Sequence, residues 1–267
     1  MTKKIKSSLF VMLYIILYYV VRSAVELAVP IMRFIRDFAS GERDFGTLFE
    51  EFQLNASIVT YDINHIAAVT SVVTALIFLI IILIRRRKIN TYIKTAPLKM
   101  MHLITAVILT VGLNLIAIFI ASLDIFSPLV PEYHGRVGGI LGGNLYITLL
   151  VVGVIAPVFE EIMYRGMIFS ELRTGFGNIT ANLMQAIIFG AMHGDIIQGT
   201  YAAAIGFILG LAYQKSGSIY FVSLVHILLN TANVLMASTS VFAGRQILLV
   251  VGILGCAAAL YMLGRRR

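Results

Sequence analysis

Two adjacent glutamates, Glu160 and Glu161, stand in a long apolar run, with Arg165 one helical turn further on. Two histidines follow in later apolar runs: His193, and His226 with Asn230 four residues beyond it. Ionisable groups inside such runs are costly to bury and point by default to function. Carboxylate, imidazole and amide together are the groups that move protons and stabilise developing negative charge. Glu161 and Arg165 are an i, i+4 pair with the acid first, the favourable order for a helical ion pair, so each neutralises the other. Glu160 points about 100° away around the helix and has no such partner in its own run. Pro157 lacks an N–H and clashes with the turn before it, so a kink is expected one turn above the glutamates, with room there for water.

The elements that must position these residues are membrane helices. The chain has 267 residues, 59% hydrophobic and 13% charged, with a mean hydropathy of +0.92, which excludes a soluble enzyme, a disordered chain and a disulfide scaffold. Its one cysteine, Cys256, excludes an intramolecular disulfide and any cysteine-based zinc or iron–sulfur site. The net charge of +8 forms no aromatic-interleaved patch, so no nucleic-acid partner is expected; the basic residues stand in short blocks between apolar runs. A span needs about 20 apolar residues. Eight are predicted, at about 8–30, 65–84, 101–123, 144–172, 179–194, 197–213, 219–238 and 246–263. The fifth and sixth are short and punctuated by glycine, which makes seven the fallback count. The first follows three lysines but runs on through Tyr18 and Tyr19 without a cleavage signal, and is read as a mature span rather than a signal peptide.

With eight spans, fourteen of the 21 Lys and Arg residues fall on one side of the membrane. The other side receives Arg33, Arg36, Arg43, Arg136 and Arg245, and Arg22 and Arg165 lie within spans. The positive-inside rule then puts both termini in the cytoplasm. The fold expected is all-α, a polytopic transmembrane bundle forming a single integral membrane domain over 1–267. Between the first two spans, Phe45, Leu48, Phe49 and Phe52 recur at helical spacing, which suggests a short surface helix.

Depth brings the polar residues together. The turn 174–178 lies almost equally far along the chain from Glu160 and from His193, so both sit about 20 Å up an antiparallel hairpin. Asn230 is at a similar height above the turn at 215–217, and His226 is one turn below it on the same face. Gly190, Ala191, Gly194, Gly206 and Gly210 let these helices approach closely.

Glu160-Glu161-x-x-x-Arg165, Phe189-x-x-x-His193 and His226-x-x-x-Asn230, in this order in successive membrane helices, resemble the three signature motifs of the CPBP family. These are the CAAX-protease and bacteriocin-processing (Abi) intramembrane proteases. The likeness covers about 144–236, taken as the catalytic core, and no motif position departs from the pattern. It implies an endopeptidase that cuts membrane-anchored peptides or proteins within or beside a prokaryotic cell membrane. By the same resemblance Glu160 activates water, His193 holds it, His226 and Asn230 stabilise the oxyanion, and Glu161 and Arg165 brace the site. No cofactor is expected.

Other readings compete. Glu160, His193 and His226 could supply three ligands to a divalent metal such as zinc, leaving one position for water. Against this, the His-x-x-x-His pair of the usual zinc helix is missing, and Asn230 suits an oxyanion donor better than a ligand. A bacteriocin immunity protein without catalysis fits the same family. A transporter would favour paired inverted repeats and broken helices in both halves, whereas here the polar residues are confined to the C-terminal half. A hydrogen bond from His193 to Glu160 could simply join two helices. Arg22 and Glu26 satisfy each other, Asp195 caps a helix, His65 and His102 mark span entrances, and His134 lies in an outer loop. The sequon Asn55-Ala56-Ser57 has no meaning outside a secretory eukaryotic context.

Overall fold

The computed structural model describes residues 2–41, 44–47, 49–50, 63–85, 92–141, 143–236 and 245–264. Among the described residues nine helical rods carry the architecture: α1 (Lys3–Ala39), α2 (Ile63–Ile84), α3 (Met100–Ala121), α4 (Val130–Leu141), α5 (Leu145–Gly175), α6 (Asn178–Ala191), α7 (Ile196–Ser216), α8 (Ile219–Met236) and α9 (Arg245–Gly264). Seven of the described helices are long and apolar enough to cross a membrane: all but α4 and α6. The protein is therefore an all-α polytopic bundle. Its outer surface agrees: Leu9, Met12, Ile16 and Val20 on α1, and Leu76, Ile80 and Leu83 on α2, expose large apolar side chains at helical spacing, the face lipid would cover.

The predicted fifth span differs. Its helix, α6, has 14 residues and ends at Ala191, which gives it a length of about 21 Å, short of the ~30 Å hydrocarbon core. His193 consequently lies in the turn beyond α6, where its N–H bonds the carbonyl of Gly190 at 3.1 Å. Gly194 follows with φ 68°, a left-handed conformation that glycine adopts without cost. Asp195 then caps α7 by accepting from the Gln198 N–H at 2.8 Å, as its position suggested. The first span is longer than expected, 37 residues against a predicted 23 at 8–30.

Small residues set the packing between α6 and α7. A Cβ on Gly190 would lie 2.4 Å from the Gly199 carbonyl oxygen, and one on Gly210 would lie 1.7 Å from Asn182 Oδ1. The space kept open there is used: Asn182 Nδ2 donates to Phe207 O at 3.0 Å, and Gln185 Nε2 donates to Gly206 O at 3.0 Å and to Asn182 Oδ1 at 2.9 Å.

On the side of the 174–178 turn, the segment 92–97 is strapped to the turn between α7 and α8. Ile219 N donates to Lys94 O at 2.8 Å, Ala96 N donates to Gly217 O at 3.1 Å, and Thr95 pairs with Ser218 as an isolated antiparallel bridge. Of the first-loop surface helix, residues 45–47 and 49–50 are helical, and Phe45 packs edge-on against Phe34 and Phe38 of α1 at 5.7 and 6.1 Å. Leu48, Phe52 and the 55–57 sequon lie outside the described residues, as do Arg43 and the three terminal arginines.

Candidate active site

The helix that carries the glutamates is not a regular α-helix. Within α5, Val151–Ile155 and Ile162–Ile168 are π-helical, and the α-helical turn Ala156–Glu161 lies between them. The first π stretch follows from Pro157. The Ala156 N–H bonds Val151 O, five residues back, and in that register the next donor, for Val152 O, would be the nitrogen of Pro157, which carries no hydrogen. Asn230 Nδ2 supplies the bond instead, donating to Val152 O at 3.1 Å. The expected kink is thus a widened turn, and one amide hydrogen of Asn230 closes the gap it leaves.

One turn further on, the two glutamates have separate surroundings. Glu161 is fully buried, with Arg165 Nη1 2.9 Å from its Oε1 and His226 Nδ1 2.8 Å from the same oxygen. The Arg165 contact is an ion pair in distance without hydrogen-bond alignment, and Arg165, also fully buried, donates through Nη2 to Gly206 O at 3.1 Å. Glu160 keeps 26% of its side chain exposed, and its Oε2 lies 3.6 Å from His226 Nε2. His226 is therefore shared by the two carboxylates, one at each ring nitrogen. A carboxylate oxygen accepts, so Nδ1 of His226 donates to Glu161. For His193 the carbonyl of Phe189, 2.7 Å from Nδ1, can only accept, so Nδ1 donates to it and Nε2 is left for another partner.

Phe189 joins these parts. Its ring stands edge-on to His193 at 4.8 Å, to His226 at 5.9 Å and to Tyr164 at 4.8 Å, and the Arg165 guanidinium lies 5.0 Å from its centroid. The two imidazoles thus flank one aromatic ring. The sequence marked Phe189 only as a motif position; its place four residues before His193 was the signal available.

Comparison with known proteins bears on this segment. Residues 142–232 match the family model described as type II CAAX prenyl endopeptidase Rce1-like, and all six predicted site residues lie inside the match. The resemblance to the CPBP family of CAAX proteases holds over this core. The Bacillus subtilis (strain 168) protein named "Putative membrane peptidase YdiL" is 29% identical to the chain over 90 residues. That alignment spans 34% of this chain and 37% of the relative. No solved structure matches.

Further along the same helix stands a group that spacing alone did not reveal. Glu171, buried at the far end of α5, pairs with Arg85 Nη1 and accepts from the hydroxyls of Tyr92 at 3.1 Å and Tyr14 at 3.3 Å. Arg85 also lies over the Phe10 ring at 3.8 Å. Read as an orienting charge in a loop, Arg85 is also a tether between α1 and the core. The pair Arg22–Glu26 forms as expected, Nε to Oε1 at 2.7 Å.

Among the described residues no three His, Cys, Asp or Glu side chains are grouped as ligands. His226 spends Nδ1 on Glu161, and His193 spends Nδ1 on Phe189 O.

Proposed function

We propose that the protein is an intramembrane endopeptidase of CAAX-protease type, cutting membrane-anchored peptides or proteins with water activated by Glu160. The observation that supports this best is the difference between the two glutamates. Glu161 is sealed and committed to Arg165 and His226, while Glu160 is partly open and 3.6 Å from an imidazole nitrogen. A buried ion pair holds the frame, and the adjacent open carboxylate is free to take a proton.

In this reading water binds between Glu160 and the free Nε2 of His193, and Glu160 removes its proton as the oxygen attacks the scissile carbonyl. The second amide hydrogen of Asn230 stands by the oxyanion, joined by His226 when its Nε2 also carries a proton, and the proton held by Glu160 passes to the leaving amine. Phe189 fixes both imidazole planes. The site is entered from the side of the 174–178 and 215–217 turns, the Lys/Arg-rich face, which the positive-inside rule makes cytoplasmic.

The test is proteolysis of anchored reporter peptides by purified protein in liposomes, with mass spectrometry of the products. Wild type should cut close to the cytoplasmic end of the anchor and survive chelation, and Glu160→Ala, His193→Ala and His226→Ala should each be inactive. Stoichiometric metal whose removal and return switch activity off and on would overturn the glutamate mechanism. Equal turnover by wild type and Glu160→Ala would overturn the assignment of the base.

A further inference from the structure

We propose that Arg136 of α4 is a positioning residue for His193, acting through the turn that carries it. The inference rests on the reading of His193 as the holder of the attacking water, and α4 lies wholly outside the family match at 142–232.

His193 is set by a turn rather than by a helix. Between the end of α6 at Ala191 and the cap of α7 at Asp195 stand only Met192, His193 and Gly194. His193 N donates to Gly190 O at 3.1 Å, but Gly194 N reaches Ala191 O only at 3.4 Å, long for a hydrogen bond. Gly194, with φ 68° and no side chain, makes a free joint directly beside His193. The carbonyl of that joint is where the turn is tied down: Arg136 Nη1 donates to Gly194 O at 2.8 Å. The other arm of the guanidinium, Nη2, donates to Glu132 Oε1 at 2.7 Å, one turn back on α4, which holds the planar group in place.

Arg136 is among the few cations placed opposite the Lys/Arg-rich end, so the positive-inside rule gives it no orienting role. Its pairing with Glu132 is exposed on both sides and adds little to stability. At its place a cation meets the C-terminal end of α6, where carbonyls lack helical partners and the helix dipole is negative. The His193 ring belongs to the same end, since its Nδ1 lies 2.7 Å from Phe189 O. The direction of Nε2 therefore follows from how the turn sits on the last residues of α6, and fixing the Gly194 carbonyl fixes that seat. A reacting group displaced by about 1 Å can lose 10²-fold in rate. A second tie from α4, between the hydroxyls of Tyr133 and Tyr201 at 3.4 Å, seats the helix on α7 without touching the turn.

The test pairs kinetics with histidine NMR on the full-length protein in detergent. Arg136→Met keeps the apolar stem and removes the donors; kcat on an anchored reporter peptide should fall between about ten- and a hundredfold with KM unchanged. Arg136→Lys, which keeps a cation and a donor, should recover most of the rate. Tyr133→Phe, which removes the other tie of α4, should stay within twofold of wild type. Independently of turnover, the imidazole signals of His193 should shift or broaden in Arg136→Met while those of His226 stay in place. With wild type active and His193→Ala inactive, an undiminished Arg136→Met would overturn the inference and leave the protease reading standing. An equal loss in Tyr133→Phe would also overturn it, since general seating of α4 would then explain the effect. Unmoved His193 signals would overturn it whatever the rate. Wild type that cuts no anchored peptide would defeat the protease reading, and the NMR comparison would then decide the hold of Arg136 on His193 by itself.

Discussion

Glu160 and Glu161 are chemically identical neighbours, and their environments divide the work between them. Glu161 has no exposed surface and meets a guanidinium and an imidazole through one oxygen. Removing its charge strands Arg165, which is itself fully buried; breaking such a pair typically costs about 3–5 kcal/mol. Glu161→Gln should therefore lower Tm and protein yield. Glu160, partly open and 3.6 Å from His226 Nε2, carries no comparable burden. Glu160→Gln should leave Tm within a degree or two of wild type and reduce turnover by about 10²–10⁴, the usual contribution of a general base. Thermal unfolding in detergent and the peptide assay, run on both variants, separate the two; equal unfolding would contradict the division.

At the scale of elements, the widened turn at Val151–Ile155 couples a backbone fault to a motif side chain. Asn230 has two amide hydrogens, and one is spent on Val152 O because Pro157 cannot donate. Asn230→Ala should cost stability of about 1–3 kcal/mol for the unpaired carbonyl, besides about 10²–10³ in rate if the second hydrogen serves the oxyanion. Pro157→Ala restores a backbone donor. In that background Asn230→Ala should lose little Tm yet remain slow, and a double-mutant cycle on Tm and on kcat reads both; recovery of the rate along with Tm would make Asn230 purely structural. Such coupling was only partly legible in the sequence. Periodicity and hydropathy placed the membrane helices, the i, i+4 rule gave Glu161–Arg165, and distance from the turns put Glu160 level with the imidazole-bearing segments. The π register was not legible, because Pro157 announces a disturbance but not which neighbour repairs it. Nor was the early end of α6, since the apolar run continues through Met192 while the chain turns at His193. Contacts between distant helices, such as Tyr18 on Phe159 or Arg85 on Glu171, depend on which faces meet, and one sequence specifies the faces without their partners.

Across the whole molecule, charge and tethering divide the bundle into two ends. At one end lie the turns at 174–178 and 215–217, the 92–97 strap and the buried Arg85–Glu171 pair with Tyr14 and Tyr92, which anchors α1. At the other end α4 reaches over the turn between α6 and α7, where Arg136 donates to Gly194 O at 2.8 Å and to Glu132 Oε1 at 2.7 Å. Glu160 is fifteen residues from the end of α5 at Gly175, about 22 Å up from the first end. For the proposed hydrolysis water must reach it through protein, because bare hydrocarbon supplies none. The Lys/Arg-rich end should be cytoplasmic, and cysteine labelling tests this directly. Cys256 is buried and can be replaced by alanine to give a silent background. Thr174 and His134 are exposed at opposite ends, so Thr174→Cys should react with a membrane-impermeant maleimide only in inside-out vesicles, and His134→Cys only in right-side-out ones. The reverse pattern would invert the topology, and with it the direction from which a substrate enters, while leaving the chemistry at Glu160 untouched.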